Sequence, residues 1–276
     1  MPNSYTRIYS FKAPDGMPPE SFKRLVWIGG IIAVLFMISL FLRGTTSLLS
    51  SAFHYIILIP IILMSLTIHE YSHAMMADFL GDPTPSRMGR LSLNPLRHLE
   101  FFGTLLLFFT GFGWAKPVLV DPGNFRVPKR AMLSVALAGP LSNFALAGLA
   151  TALMKLLVRL ITLTTISPTL VLLCFIMLKT MIIINISLAI FNLLPFPPLD
   201  GSRIISYFLP DRFRIQYRQF EQIAPMILLL LFALGGLSII LSPAISVALQ
   251  TMQSFFGDPM RDISIYLMQA TGGIQL

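Results

Sequence analysis

Charge is scarce in this sequence: Asp, Glu, Lys and Arg together make 12% of 276 residues, against 55% hydrophobic residues. That balance excludes an ordinary soluble domain, and several uncharged runs approach about twenty residues, which reads as a polytopic membrane protein. The one cysteine, Cys174, excludes an intramolecular disulfide and a cysteine zinc cluster; inside an apolar run it reads as packing. No repeat or low-complexity tract appears, which counts against a transporter built from repeated halves. Once about five spans are housed there is no room for a large independent soluble domain, so the membrane unit carries the function. The net charge of +8 raises the question of an anionic partner. In a membrane protein, loop charge that sets topology explains it first, and nucleic-acid binding is set aside. Histidine and glutamate are also rare, at four each.

That rarity makes one stretch informative: Thr67-Ile68-His69-Glu70-Tyr71-Ser72-His73-Ala74, at the end of an apolar run that begins near Ala52. On a helix, positions four apart share a face, so His69 and His73 can turn ring nitrogens to one ion. Glu70 projects about 100° around, beside the ion rather than onto it. This is the pattern of a zinc hydrolase, with two histidine ligands and a glutamate that takes a proton from the attacking water. With so few His and Glu it arises by chance in about one shuffled chain per thousand. The bland reading, a helix with incidental polar residues, is weakened further because ionisable groups beside a membrane run are costly.

Taken in order, residues 1–24 are a polar cytosolic tail, followed by a first span over 25–42 that reads as an uncleaved anchor. The second span starts near Ala52 and should kink at Pro60. Between the second and third spans, 101–112 is apolar but too short to cross, which suggests a re-entrant segment. Residues 113–124 suggest a β-hairpin whose free edge could pair with an extended peptide, or an ordinary surface turn. The third span covers 131–154, the fourth ends in the proline-broken stretch before Asp200, and the fifth covers 223–241. Residues 244–256 and 263–268 lie on the membrane or add a sixth span. The expectation is an all-α polytopic membrane protein of five to six helices with a membrane-associated hairpin or re-entrant segment. Residues 25–276 form one membrane-embedded domain whose catalytic core spans about 52–210.

Basic residues set the orientation. Placing the tail, the 81–130 connection and the 195–222 connection on one side puts 15 of 20 Lys and Arg there, which makes it the cytosolic side. The second and fourth spans then run the same way and deliver His69, His73 and Asp200 to one end. A catalytic zinc keeps three protein ligands and an open position, so a third ligand is needed. Asp200, on irregular backbone beside Gly201, emerges at matching depth. Asp78 is too close in sequence and suits a supporting role; Glu100, Asp121 and His98 lie in or beside loops, with His98 read as interfacial. His54 is about 20 Å or more from His69 along the helix. Lys179 snorkels or faces the bundle. Asn143 at membrane depth either bonds another helix or acts in catalysis.

Together, His69-Glu-x-x-His73, Gly139-Pro140-x-x-Asn143 and Asn192-x-x-Pro195-x-x-Pro198-Leu-Asp200-Gly201 resemble the site-2 protease family of intramembrane zinc metalloproteases, in a minimal branch without PDZ or CBS domains. The similarity also takes in Gly89-Arg90-Leu91-Ser92-Leu93-Asn94-Pro95-Leu96 and Gly113-Trp114-Ala115-Lys116-Pro117-Val118, and extends over about residues 60–210. The resemblance implies one catalytic Zn2+ on His69, His73 and Asp200, Glu70 as general base, and Asn143 holding substrate or the oxyanion. Asn192 stays open between substrate contact and helix capping. Where the family commonly has Asp-Pro after the His of the connection, this chain has His98-Leu99-Glu100-Phe101-Phe102, so the resemblance does not carry over to the conformation of 101–112.

The implied activity is zinc-dependent hydrolysis of peptide bonds within or near a transmembrane segment of a membrane-protein substrate. The implied setting is the lipid bilayer of a bacterial-type cytoplasmic membrane, with the N-terminus and the site opening toward the cytosol. The alternative is a zinc-binding transporter or sensor without catalysis, since intramembrane His and Asp can line an ion path. Transport gives no reason for a glutamate beside the first histidine. A non-catalytic scaffold is a third class, set against the presence of all five core site residues.

Overall fold

A computed structural model describes residues 48–100, 103 and 115–270, nearly all of them in helices joined by turns. The expected first span and nearly all of the 101–112 segment lie outside the described residues. Helix α1, Leu48–Phe79, carries the His-Glu-x-x-His stretch and contains Pro60. It leads through the short α2, Thr84–Arg87, and an irregular connection to α3, Pro128–Leu163, which contains Pro140. Helix α4, Pro168–Leu193, is followed by the short α5, Asp200–Phe208. Then come α6, Arg214–Ala233, α7, Gly236–Phe256, and α8, Pro259–Ala270.

Four of these are long and apolar enough to cross a membrane: Ile56–Phe79 within α1, Pro128–Leu163, Pro168–Leu193 and Gly236–Phe256. The expected span over 223–241 is corrected. It straddles a break at Gly235, whose φ of 74° ends α6 and starts α7, a left-handed turn that glycine adopts without a Cβ clash. Hydrophobicity runs through the break, so composition alone could not place it. The apolar part of α6, Gln219–Phe232, is too short to count as a span, and residues 244–256 instead complete α7.

The β-hairpin is not confirmed: the described residues contain no strand, only one antiparallel bridge between Leu99 and Ala115, and residues 113–114 lie outside them. Residues 117–121 are irregular and Pro122–Asn124 is a single 3-10 turn. At the turn itself the backbone N–H groups of Asp121 and Gly123 are satisfied by side chains rather than by a partner strand. Asp121 N donates to the Asp82 carboxylate at 2.8 Å, Gly123 N donates to Asp121 Oδ1 at 2.9 Å, and Pro117 and Pro122 have no N–H to offer.

The helices close around small and branched side chains. Ala147, Ala150 and Met154 of α3 pack on Val171, Ile182 and Ile186 of α4 and on Ile263 and Leu267 of α8. At the other end of α3, Ala131 and Val135 meet Ala77 of α1 and Phe125. Leu199, just before α5, packs with Leu228 of α6 and Leu237 of α7, which seats the start of α5 against the bundle.

Candidate metal centre

Helix α1 delivers the first half of the centre. His69 and His73, one turn apart, are buried and stand edge to face with ring centroids 4.6 Å apart. The hydroxyls of Ser65, Thr67 and Ser72 each donate to the carbonyl four residues back, so these three O–H groups find acceptors within the helix. Glu70 projects from the next position and is half-buried.

Asp200 supplies the second half, from the first residue of α5. Pro195, Pro197 and Pro198 stop α4 and turn the chain back. The turn closes because residue 201 is glycine: a Cβ there would collide with the Leu193 and Leu194 carbonyls. Asp200 Oδ2 thereby reaches His73 Nε2 at 3.1 Å and His69 Nε2 at 3.2 Å, while the two Nε2 atoms are 3.1 Å apart. Among the described residues these three form the group of His, Cys, Asp and Glu able to hold a metal ion.

The hydrogen bonds on the far side of each ring decide what the three atoms are. His73 Nδ1 faces the Val135 carbonyl at 2.7 Å, and a carbonyl only accepts, so Nδ1 carries a proton and, in the neutral ring, Nε2 carries the lone pair. His69 Nδ1 faces Asn143 Oδ1 at 2.5 Å, which places its Nε2 in the same state. Two lone pairs and a carboxylate oxygen then face one another, an arrangement that repels itself unless a cation lies between. Donors about 2.0–2.1 Å from a tetrahedral zinc stand about 3.3 Å apart. The observed separations of 3.1 to 3.2 Å match that triangle, so the donor set fits zinc.

Helix α3 makes the approach possible. A Cβ on Gly139 would lie 2.6 Å from His69 Nε2 and closer still to His73 Nε2, so only glycine lets α3 pass over the ring pair. One turn on, Asn143 is fully buried with both ends of its amide engaged: Oδ1 on His69, and Nδ2 donating to Asn185 Oδ1 of α4 at 2.8 Å.

Other candidate positions lie apart from the triangle. Asn192 Nδ2 donates to Leu188 O at 3.0 Å inside the last turn of α4. His98 is buried with Nε2 donating to Ser92 O at 2.6 Å. Its backbone carbonyl accepts from Lys116 N at 2.7 Å beside the Leu99–Ala115 bridge, and the buried Arg90 donates to the carbonyls of Arg97 and Lys116 at the same place. Burial lowers the Arg90 pKa, but the guanidinium stays charged. Asp121 caps its own turn, Asp78 is exposed, and Glu100 accepts from Gly103 N. Sequence reasoning passed over Ser65 and Asn185. Asn185 carries the signal used for Asn143, a lone amide in an apolar run; the Val135 carbonyl carries no residue-type signal at all.

The sequence profile described as Peptidase family M50 matches residues 157–235, which takes in Asp200 but not the histidine stretch. The chain is 36% identical over 201 residues to the "Putative zinc metalloprotease YwhC" of Bacillus subtilis (strain 168), an alignment covering 72% of this chain and 90% of that protein. It is 31% identical over 176 residues to the "Putative zinc metalloprotease Rip2" of Mycobacterium tuberculosis (strain ATCC 25618 / H37Rv), covering 62% of this chain and 64% of that one. No solved structure matches at a comparable level.

Proposed function

The chain belongs to peptidase family M50, the site-2 protease-like intramembrane zinc peptidases, and on that premise we propose that His69, His73 and Asp200 hold its zinc and Glu70 is its general base. The observation that carries the assignment is the triangle of Nε2, Nε2 and Oδ2 at 3.1 to 3.2 Å, with both Nδ1 atoms facing acceptors. Zinc bound there lowers the pKa of water toward neutrality and polarises a carbonyl. Glu70, one residue from His69 and three from His73, takes the proton of the attacking water and passes it to the leaving amide nitrogen. Val135 and Asn143 hold the two rings so that neither can turn its N–H toward the substrate. Asn143 is fully buried with its NH2 group directed at Asn185 Oδ1 and the Ser65 carbonyl, which counts against the substrate or oxyanion role that the family resemblance implies for it. Asn143 therefore orients His69.

The substrate is a membrane protein. A helical segment shields its amides, so it must be unwound before water can attack, and pairing of an extended stretch along residues 118–120 would hold that form. The catalytic core spans about 52–210, and the site opens toward the cytosol of a bacterial-type membrane, on the side where basic residues concentrate.

The test uses the full chain in lipid nanodiscs with a single-span protein as substrate. Cleavage should stop when a chelator strips the zinc and return when zinc is restored. Cleavage that persists in zinc-free protein overturns the assignment.

A further inference from the structure

Four polar side chains buried between the helices form a directional hydrogen-bond chain that ends on a metal ligand. Ser65 Oγ donates to the Ile61 carbonyl at 2.7 Å, and Asn185 Nδ2 lies 2.9 Å from both Ser65 Oγ and the Met181 carbonyl. Asn185 Oδ1 accepts from Asn143 Nδ2 at 2.8 Å, and Asn143 Oδ1 faces His69 Nδ1 at 2.5 Å. Ser65, Asn143 and Asn185 are all 0% exposed, so water cannot substitute for any link.

The direction of this chain is not a matter of choice. An amide can be turned end for end, but the Ile61 and Met181 carbonyls only accept. The Ser65 hydroxyl must therefore donate to Ile61, leaving its oxygen to accept, and the NH2 end of Asn185 must point to Ser65 and Met181. Asn185 then presents its oxygen to Asn143, which must answer with its own NH2 group. That group also approaches the Ser65 carbonyl at 3.5 Å. Asn143 is left with its oxygen toward His69, whose Nδ1 must donate. Two backbone carbonyls, one on α1 and one on α4, thus fix the tautomer of a histidine on α1 through a residue on α3.

We propose that Ser65 and Asn185 are positioning residues which, through Asn143, hold His69 with Nδ1 protonated and keep its Nε2 lone pair on the ion. The proposal rests on the reading of His69, His73 and Asp200 as the zinc site. Losing an outer partner of a metal-binding histidine typically costs about 10- to 100-fold in metal affinity. An Asn185 that serves only to join α3 to α4 would have no such effect on the folded protein.

The experiment measures zinc affinity by chelator competition and the visible spectrum of the cobalt form, in full-length protein. Asn185→Leu should bind zinc about 10- to 100-fold more weakly than the unsubstituted protein, with a shifted cobalt band. Ser65→Ala, which deletes one oxygen and so keeps the fold even if Asn185→Leu does not, should lose about tenfold. Folded Ser65→Ala protein that binds within threefold of the unsubstituted protein and shows its cobalt spectrum overturns the positioning role, even with zinc still dependent on His69 and Asp200. If instead His69→Ala and Asp200→Asn leave zinc binding unchanged, the metal-site reading itself fails and the positioning role falls with it.

Discussion

Glu70 and Asp200 are both carboxylates beside the same histidines, yet the proposed function gives them different work. Glu70→Gln keeps shape and removes the base, so bound zinc should stay near one per chain while cleavage falls by about 10² to 10⁴-fold. Metal analysis beside a cleavage assay reads both; unchanged cleavage removes Glu70 from the base role. Asp200→Asn trades a charged donor for a neutral one, so it should lower zinc occupancy first and activity as a consequence. A third carboxylate has a structural task. Asp82, at the exit of α1, accepts from Thr84 N and Oγ1, from Asp121 N and from Asn124 Nδ2, tying the far end of the connection to the site helix. Burial works to raise its pKa, but these four donors outweigh it and hold the carboxyl below the ordinary carboxylate value. With a depressed folded value, the unfolded chain takes up the proton first as pH falls. The contribution is therefore complete above the unfolded pKa of about 3.9 and is lost as pH drops through the lower folded value. Hydrogen exchange at residues 117–125, corrected for intrinsic rate, should show protection falling across that window. In Asp82→Asn that pH dependence should vanish.

Helices meet at the centre because two positions have no side chain. Gly139→Ala must push α3 off the ring pair, since a Cβ would lie 2.6 Å from His69 Nε2. Misplacing reacting groups by about 1 Å can cost about 100-fold, so cleavage should fall at least that far, with zinc lost in parallel. An alanine variant with normal zinc and normal cleavage would mean that α3 does not pass where it is described. Much of this was readable beforehand. The His-Glu-x-x-His spacing needs only helical periodicity, and the prolines before Asp200 announce a broken helix. The small residues at 138–139 foretell close helix approach. What could not be read was which groups satisfy the rings. Val135 contributes a carbonyl that every residue possesses, and the Ser65–Asn185–Asn143 chain depends on three helices meeting, which no single stretch encodes. The Gly235 break was hidden for the opposite reason: apolar residues continue across it, so hydrophobicity sees one span where the backbone makes two helices.

At the scale of the whole molecule, the end of α1, the connection after it and the turn into α5 share one face of the bundle, while the turn at residues 164–167 lies at the opposite ends of α3 and α4. The seven Lys and Arg in the 81–130 connection are the basis for the proposal that the first face lies toward the cytosol. With Cys174 replaced by Ser as background, Ser86→Cys should react with an impermeant maleimide only from the cytosolic side and Thr165→Cys only from the other. The reverse pattern inverts the orientation and with it the side from which water reaches the site. The span count was hard to read because spans are read from hydrophobic runs, which can hide a break. The distance along the chain between the proposed ligands has a further consequence, for the protein's own birth. His73 and Asp200 are 127 residues apart. At synthesis rates of about 5 to 20 residues per second, Asp200 leaves the ribosome roughly 6 to 25 s after His73. The two histidines thus enter the bilayer as an incomplete pair, and on the proposed ligand set the protein cannot cut a neighbouring nascent chain, or its own, until α4 and the turn into α5 have been made.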